Sequence, residues 1–177
     1  SLDPATANNT EDIWPVNQLF NGLVQMNDSL NVVPCIAKSW EISEDGLTYT
    51  FALKNDVFFH DNVCFEGGKG RKVTAKDFVF SFNRLYDSRT SNALAFLTNI
   101  DRTEKTNYKG FTALNDTTFV IYLKEPFSAF LSSLTMKYFS VVPHEAIDMY
   151  GQDFRRNPVG TGPFKFKLWE EGTKLVF

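Results

Sequence analysis

One short segment constrains the fold of this chain more than any other, residues 157–164, which read Asn-Pro-Val-Gly-Thr-Gly-Pro-Phe. Pro158 and Pro163 fix the backbone angle φ and remove two backbone donors. Gly160 and Gly162 permit a positive φ, or let another backbone or a ligand come close. The pattern predicts a stiff crossing of the chain, as a hinge or the floor of a cleft requires. An ordinary loop before a strand is the alternative.

The composition excludes several classes of protein. The chain has 177 residues, a length that fits one domain, or a small domain plus pieces of another. Its net charge is −3 with both signs mixed, which argues against a nucleic-acid partner, because binding phosphates needs a basic face. No apolar run approaches the roughly 20 residues that span a bilayer. With 18 phenylalanines, the core is predicted to consist largely of aromatic rings.

Periodicity predicts an α+β chain. The clearest signal is a β-hairpin, in which Trp40 and Ile42 alternate with polar residues, residues 44–46 form the turn, and residues 49–53 alternate again. Helices are predicted at residues 11–23, from Thr74 onward, at 127–134 and at 143–150. Single helical turns are predicted at residues 34–39 and 93–97. Other strands are predicted at residues 24–26, 57–59, 119–123, 138–142 and 164–169, and from residue 174 onward.

The helix that begins at Thr74 has the strongest local signature. Thr74 is a suitable N-cap, and Asp77 lies three residues on, where its side chain can reach back to the cap. Phe78, Phe82 and Leu85 then fall on one stripe, which predicts an aromatic face buried against the rest of the protein.

Motifs for catalysis and for metal binding are absent from the sequence. His60, Asp61, Cys64 and Glu66 are possible metal ligands, but their spacing matches no standard zinc pattern, so a solvated loop is favoured. Residues 67–72 superficially resemble a phosphate-binding loop but lack the Gly-Lys-Ser/Thr order, which favours an exposed basic loop. We therefore predict no catalytic residue, no metal and no cofactor.

Two arginines and two cysteines leave alternatives open. Arg155 and Arg156 stand directly before the crossing, where a guanidinium could bind a carboxylate in a bidentate pair. The alternative is two solvated cations at the end of a loop. Cys35 and Cys64 permit one disulfide if the protein is exported, but two free thiols are favoured, since spacing alone cannot supply the required Cα separation.

The chain resembles the solute-binding proteins of peptide-type ABC transporters, a family that includes oligopeptide, dipeptide and nickel-chelate binders. Any one of the similar segments is a weak signal, but seven in the family's order are specific. They are residues 2–4, 19–24, 37–51 with the hairpin turn, 58–61, 73–81, 142–143 and 157–164.

The resemblance implies a fragment of a bilobed, periplasmic-binding-protein type II fold. Residues 1–32 would start the first lobe, residues 33–150 would form the small extra domain typical of peptide binders, and residues 151–177 would return into the first lobe. Both ends look cut, which also predicts a piece from the N-terminal part of a longer protein. The function implied is a receptor, not an enzyme, that binds a peptide and delivers it to a membrane permease. Its place would be periplasmic or otherwise extracytoplasmic, with or without a lipid anchor.

Ligand residues follow from the resemblance position by position. The family often has an acidic residue where Asn21 stands, so an amine clamp of that kind is in doubt here. Phe96 lies where the family places an aromatic ring beside the ligand. Thr161 and Gly162 resemble the hinge-side wall of the cleft. With Arg155 and Arg156, these residues form the predicted ligand-binding set.

Three other functions remain open from the sequence. A hydrolase could carry its catalytic residues in a missing portion. A family member could bind a nickel chelate or another small solute instead of a peptide. An interaction module could use exposed aromatic residues, and a large apolar surface patch would favour it.

Overall fold

The computed structural model describes residues 1–87, 93–103 and 110–177. A four-stranded antiparallel sheet organises the chain, with strand order β3-β4-β6-β5, and two-stranded sheets pair β1 with β2 and β7 with β8. The strands are β1 (Val24–Met26), β2 (Val32–Pro34), β3 (Ala37–Ile42), β4 (Thr48–Leu53), β5 (Phe111–Asn115), β6 (Thr118–Tyr122), β7 (Leu168–Glu170) and β8 (Lys174–Val176).

Helices cover one face of the four-stranded sheet and connect it to the two-stranded sheets. The α-helices are α1 (Thr10–Leu19), α2 (Ala75–Asp87), α3 (Leu94–Leu97), α4 (Phe130–Ser133) and α5 (His144–Tyr150). Three short 3₁₀ segments lie at Glu66–Gly68, Lys137–Phe139 and Gly151–Arg156. No described helix combines the length and apolar character needed to cross a membrane.

The predicted hairpin is confirmed as β3 and β4, which pair antiparallel with Trp40 opposite Phe51. Along β4 the side chains of Tyr49, Phe51 and Leu53 are buried, while the residues between them are half-buried. This is the period of two that the sequence shows, because successive side chains of a strand point to opposite faces. Gly46 closes the turn with a φ of 71°, a conformation that glycine adopts without steric cost.

Aromatic rings fill the space between the sheet and α2. The ring of Phe82 is central, with centroids 5.3 Å from Phe111, 5.5 Å from Phe119 and 5.3 Å from Phe139. All three contacts are edge-to-face, a favoured arrangement for ring quadrupoles. The predicted stripe on α2 is thereby confirmed, since Phe78, Phe82 and Leu85 are all buried.

At the start of α2, the Asp77 side chain reaches back to Thr74, as the sequence predicts. The Asp77 carboxylate accepts hydrogen bonds from the Thr74 backbone N–H at 2.8 Å and from the Thr74 hydroxyl at 3.1 Å. Asp77 is buried, and one of its carboxylate oxygens also receives a guanidinium hydrogen bond from Arg71 at 2.7 Å. The cap is therefore also an anchor for the loop that precedes the helix.

Two predicted elements are wrong in type. Residues 34–39 contain no helical turn, because the chain passes there from β2 into β3 and the Cys35 N–H and Ala37 N–H both bond to the Leu23 carbonyl. Residues 138–142 form no strand. Lys137–Phe139 is a 3₁₀ turn, and Ser140 forms an isolated bridge with Gly22. In both places a partner distant in sequence takes the backbone bonds that the local pattern assigned otherwise.

Several predicted elements are shorter than expected. The first helix ends at Leu19 instead of residue 23, and the helix predicted at 127–134 covers only Phe130–Ser133. Residues 57–59 contribute only a bridge between Phe58 and Lys72, and the strand predicted at 164–169 begins at Leu168. The strand predicted from residue 174 pairs with β7. Of the loosely patterned stretch between Asp87 and Thr106, the structure confirms a helical turn at α3, and residues 88–92 and 104–106 lie outside the described residues.

The chain's first residues are bound to later parts of the structure. The Leu2 N–H donates to the Arg155 carbonyl at 3.1 Å. The Asp3 carboxylate forms a bidentate ion pair with Arg84 of α2, and the Arg84 guanidinium also lies 5.6 Å from the Phe154 ring centre. This contact ties the opening segment to the aromatic region across 81 positions of sequence. Cys35 and Cys64 are free thiols, as the sequence favours.

Candidate functional site

The crossing segment, residues 157–164, is held by backbone hydrogen bonds at defined places. The Gly162 N–H donates to the Leu19 carbonyl at 2.9 Å, and the Phe164 N–H donates to the Gln18 carbonyl at 3.1 Å. On its other side the Gly160 carbonyl accepts from the His60 N–H at 2.8 Å. The crossing segment therefore lies between the end of α1 and the loop around His60, which is the stiff crossing that the sequence predicts.

Its glycines are required by close approach. A Cβ at Gly160 would lie 2.0 Å from the Leu19 carbonyl oxygen, and one at Gly162 would lie 2.3 Å from the Gln18 carbonyl oxygen. Neither glycine has a positive φ. Of the two uses that the sequence left open for these glycines, the structure selects the close contact between two backbones.

Asn21 and Thr161 meet where the crossing segment passes the end of α1. The Thr161 hydroxyl lies 3.2 Å from Asn21 Oδ1, and Asn21 Nδ2 donates to Cys35 Sγ at 3.4 Å. The backbone carbonyl of Asn21 accepts a hydrogen bond from the Val141 N–H at 2.9 Å. Asn21 is thus oriented on both sides of its amide, and its neutral side chain bonds within the protein instead of presenting a negative charge.

Burial sets the chemistry of the thiol in this group. Desolvation raises the pKa of Cys35 above its usual range, and the hydrogen bond from Asn21 opposes this only in part. A thiol with a raised pKa is a poor nucleophile at neutral pH, since the thiolate is the reactive form. Cys35 therefore acts as a weak hydrogen-bond acceptor for Asn21.

A cavity of about 290 Å³ opens beside Asn21. One wall comes from the end of α1 and from β1, and the other wall from residues 134–140, which follow α4 and include the 3₁₀ turn. Polar side chains contribute to both walls. The lining residues are Asn17, Phe20, Asn21, Gly22, Val24, Gln25, Met26, Cys35, Leu134, Thr135, Met136, Lys137 and Ser140.

His60 belongs to this region, although sequence reasoning assigned it to a solvated loop. Its Nε2 donates to the Gly162 carbonyl at 2.8 Å, a contact between residues 102 positions apart. Burial lowers the pKa of His60, and the Gly162 bond and Asp61 counteract this in part, while Lys165 adds to it. No spacing in the sequence could reveal this role, because the partner is a backbone oxygen from a remote segment.

Arg155 and Arg156 lie on the outer side of the crossing. Both pair with Glu171, at 3.6 Å and 2.8 Å, and the Arg156 guanidinium lies 6.0 Å from the Trp169 ring centre. Their side chains are 45% and 47% exposed, so the surface environment predicted as the alternative is the one seen here. The carboxylate they bind belongs to the chain itself.

Phe96 lines a different cavity from Asn21. It lies in α3 and is half-buried beside Pro126 and Phe127, at the edge of a hollow of about 340 Å³. The structure therefore brings Asn21, Thr161 and Gly162 together, and it places Phe96 and the two arginines at other parts of the surface.

The predicted exposed basic loop, residues 67–72, is partly buried. Arg71 donates to Asp77 at 2.7 Å and to Glu145 at 2.9 Å, and its guanidinium lies 5.3 Å from the Phe59 ring centre. Burial disfavours the charged guanidinium, but the hydrogen bonds to both carboxylates outweigh it and raise the pKa of Arg71. The prediction was wrong for Arg71 because both carboxylate partners come from helices that fold over the loop. Lys69, by contrast, is 83% exposed.

A protein-family model gives the class to which this chain belongs. The model of the bacterial extracellular solute-binding proteins, family 5, middle region, matches residues 31–177. The chain therefore belongs to this family, which confirms the resemblance seen in the sequence. The family consists of substrate-binding proteins.

Individual relatives agree with the family assignment. The glutathione-binding protein GsiB of Pectobacterium atrosepticum is 33% identical over 171 residues, which cover 97% of this chain and 30% of that protein. The chain thus spans under a third of the length of this relative.

Solved structures confirm the predicted fold class. The periplasmic oligopeptide-binding protein of Borrelia burgdorferi superposes with a TM-score of 0.86 and 30% identity, over 99% of this chain and 36% of the other. The periplasmic binding protein DppA of Helicobacter pylori, in complex with the peptide STSA, gives a TM-score of 0.77 and 32% identity over the same shares.

Proposed function

We propose that this chain is part of a receptor that binds peptides in a cleft between two lobes and delivers them to an ABC permease. Residues 1–32 and 151–177 would belong to one lobe, and residues 33–150 would form the small extra domain. The receptor would work outside the cytoplasmic membrane, free or lipid-anchored, and would not alter its ligand chemically.

The crossing segment is the observation that carries this proposal. It joins the end of α1 to the residue 60 loop by backbone hydrogen bonds and by the bond from the His60 side chain to the Gly162 carbonyl. The two parts proposed as lobe and extra domain therefore keep a fixed relation at that point. Asn21 and Thr161 meet on the same crossing beside the 290 Å³ cavity. Polar groups held in place at a cleft can bind the main chain of a peptide. Because the main chain is the same in every peptide, such groups would bind peptides of different sequence.

The proposed ligand residues fall into two groups. Asn21, Thr161 and Gly162 form the hinge-side group, which the crossing segment orients. Phe96, Arg155 and Arg156 stay predicted contacts, and the arginines would have to exchange Glu171 for a ligand carboxylate. A peptide would shift the receptor toward the closed state to the extent that it binds the closed state more tightly than the open state.

A thermal-shift screen of the full-length protein tests the proposal. The panel holds tripeptides, dipeptides, glutathione, single amino acids and a nickel–histidine chelate. We expect a peptide to raise the melting temperature in a concentration-dependent way and to be recovered unchanged, because a ligand stabilises the state that it binds. A shift with the nickel chelate alone would replace the peptide by a metal complex, and hydrolysis of the peptide would favour the enzyme alternative.

Thr161→Val tests the hinge-side group. Valine keeps the shape of threonine but removes the hydroxyl that orients Asn21, so peptide affinity is expected to fall about fivefold, the value of one ordinary hydrogen bond. Thr50→Val on β4 is the control, and its affinity should stay unchanged. Equal affinities of Thr161→Val and the parent protein would remove Thr161 from the site.

A further inference from the structure

The cavity beside Asn21 contains an unusual cation. Lys137 lines this cavity, yet the residue is only 8% exposed. Lysine is almost never buried to this extent unless it is paired with an acid. The chain as a whole carries more acidic than basic residues, 21 against 18, so acidic partners are not scarce.

Within the described ranges, no carboxylate forms an ion pair with Lys137. The Lys137 ammonium lies 4.4 Å from the Tyr138 ring centre, a cation–π contact that stabilises the charge. The residue is mostly covered by protein, and a positive charge held there without an anionic partner is less stable than one paired with a carboxylate. The arrangement therefore has a place for one negative charge.

A second group beside Lys137 suits an anion. Ser140 lines the same cavity and provides a hydroxyl donor, whereas the Thr135 hydroxyl already donates to the Ser132 carbonyl at 2.7 Å. A bridge between Gly22 and Ser140 holds the two walls together, so Lys137 lies on a segment fixed to the strand side of the cavity.

We propose that Lys137 binds a carboxylate of the solute in this cavity. The inference rests on the proposed function and adds the chemical class of ligand, a peptide with a free carboxylate on the part that enters here. Asn21 supplies neutral hydrogen bonding nearby, and Lys137 supplies the charge. The carboxylate could be the C-terminus of the peptide or an acidic side chain, and both present the same group to an ammonium.

Calorimetric titration of the full-length protein with matched tripeptides tests the assignment. Trialanine and trialanine amide differ only in the C-terminal charge, and Ala-Glu-Ala amide and Ala-Gln-Ala amide differ only in the side chain. We expect one acid to bind roughly tenfold more tightly than its neutral counterpart, and Lys137→Met to abolish that ratio. The pair that shows the ratio identifies the source of the carboxylate.

Lys76→Met is the matched control, because it removes the same charge from an exposed position of α2. It should leave every acid-to-neutral ratio unchanged. Lys137→Arg, which keeps the charge, should retain most of the preference. If Lys137→Met lowers the affinity for acid and neutral peptides equally, the proposal is overturned while peptide binding itself still stands. No binding of any peptide to the parent protein would instead contradict the proposed function.

A labelling experiment covers the case in which Lys137→Met does not fold. Reductive methylation of the parent protein, followed by mass spectrometry, reports whether the Lys137 amine is accessible. The preferred acid should protect Lys137, and its neutral counterpart at equal occupancy should protect it less. Equal protection by both, or protection without any peptide, would show that the ammonium is covered by something other than a ligand carboxylate.

Discussion

The aromatic core under the four-stranded sheet and the crossing segment are held together by different forces. In the core, rings such as Phe82 are fully buried and contact several other rings, so the stabilisation comes from apolar area removed from water. At the crossing segment, backbone groups bond to other backbone groups, and glycines allow the approach. We therefore expect loss of a side chain to affect mainly stability in the core, and gain of a side chain to affect mainly geometry at the crossing segment.

The largest expected effect is in the core. Phe82→Ala should lower the free energy of unfolding by about 3–5 kcal/mol, because it removes a buried ring and leaves a cavity. Denaturant unfolding measures this loss. Phe58→Ala is the control, since Phe58 is 52% exposed, and it should cost less than about 1 kcal/mol. Similar losses for both variants would mean that the core is not held by ring burial.

Next in size is the ion cluster of Arg71 with Asp77 and Glu145. Arg71→Met should cost about 3 kcal/mol, because it leaves the buried Asp77 carboxylate without its guanidinium partner. Lys69→Met breaks only an exposed pair with Asp61 and should cost about 0.5 kcal/mol or less. Chemical denaturation compares the two, and an equal cost would contradict the buried role of Arg71.

A smaller effect on stability is expected at the crossing segment. Gly160→Ala should cost about 2 kcal/mol, because its Cβ would meet the Leu19 carbonyl at 2.0 Å and the backbone must move. Gly67→Ala is the control, with open space around it but a φ of 63°, and should cost about 1 kcal/mol.

The same pair of glycine variants separates geometry from stability. If peptide binding depends on the geometry of the crossing segment, Gly160→Ala should weaken peptide binding by the full-length protein, and Gly67→Ala should not. Phe82→Ala should leave binding by the folded fraction unchanged. A binding defect in Phe82→Ala as large as that in Gly160→Ala would break the distinction between the two regions.

The smallest effect is a pH dependence at the crossing. The pKa of His60 is lowered below its ordinary 6.5 by burial, so below pH 6.5 the unfolded chain binds more protons at this residue than the folded protein does. His60 should therefore make the protein less stable as the pH falls from about 7.5 to about 5.5. His60→Gln keeps a donor for the Gly162 carbonyl without titrating, and it should lose less stability over that interval. Identical pH profiles would exclude His60 as a contributor.

Patterns local in sequence predicted the parts that fold by local rules. The hairpin of β3 and β4, the cap of α2 by Asp77 and the stripe through Phe82 follow from alternation, from a three-residue spacing and from helical periodicity. The family resemblance also came from the sequence, because its motifs keep their order along the chain.

Tertiary structure decided the elements and contacts whose partners are remote in sequence. Residues 138–142 alternate like a strand, yet they form a 3₁₀ turn and a bridge to Gly22 because the end of α1 takes their backbone bonds. Sequence analysis missed His60, Arg71 and Lys137 for the same reason. Their surroundings come from segments far along the chain, and burial and charge pairing exist only after those segments meet.

From the sequence alone came the class of fold, through the order of the family's motifs, and the aromatic composition of the core and the fixed φ angles of Pro158 and Pro163, since these two depend on residue type. The packed structure was needed to show that Asn21 is bound between Thr161 and Cys35, that Arg155 and Arg156 face Glu171, and that Lys137 is mostly covered beside a cavity. Hydrogen bonds and desolvation depend on distances between remote residues, and those distances are set when the whole chain packs.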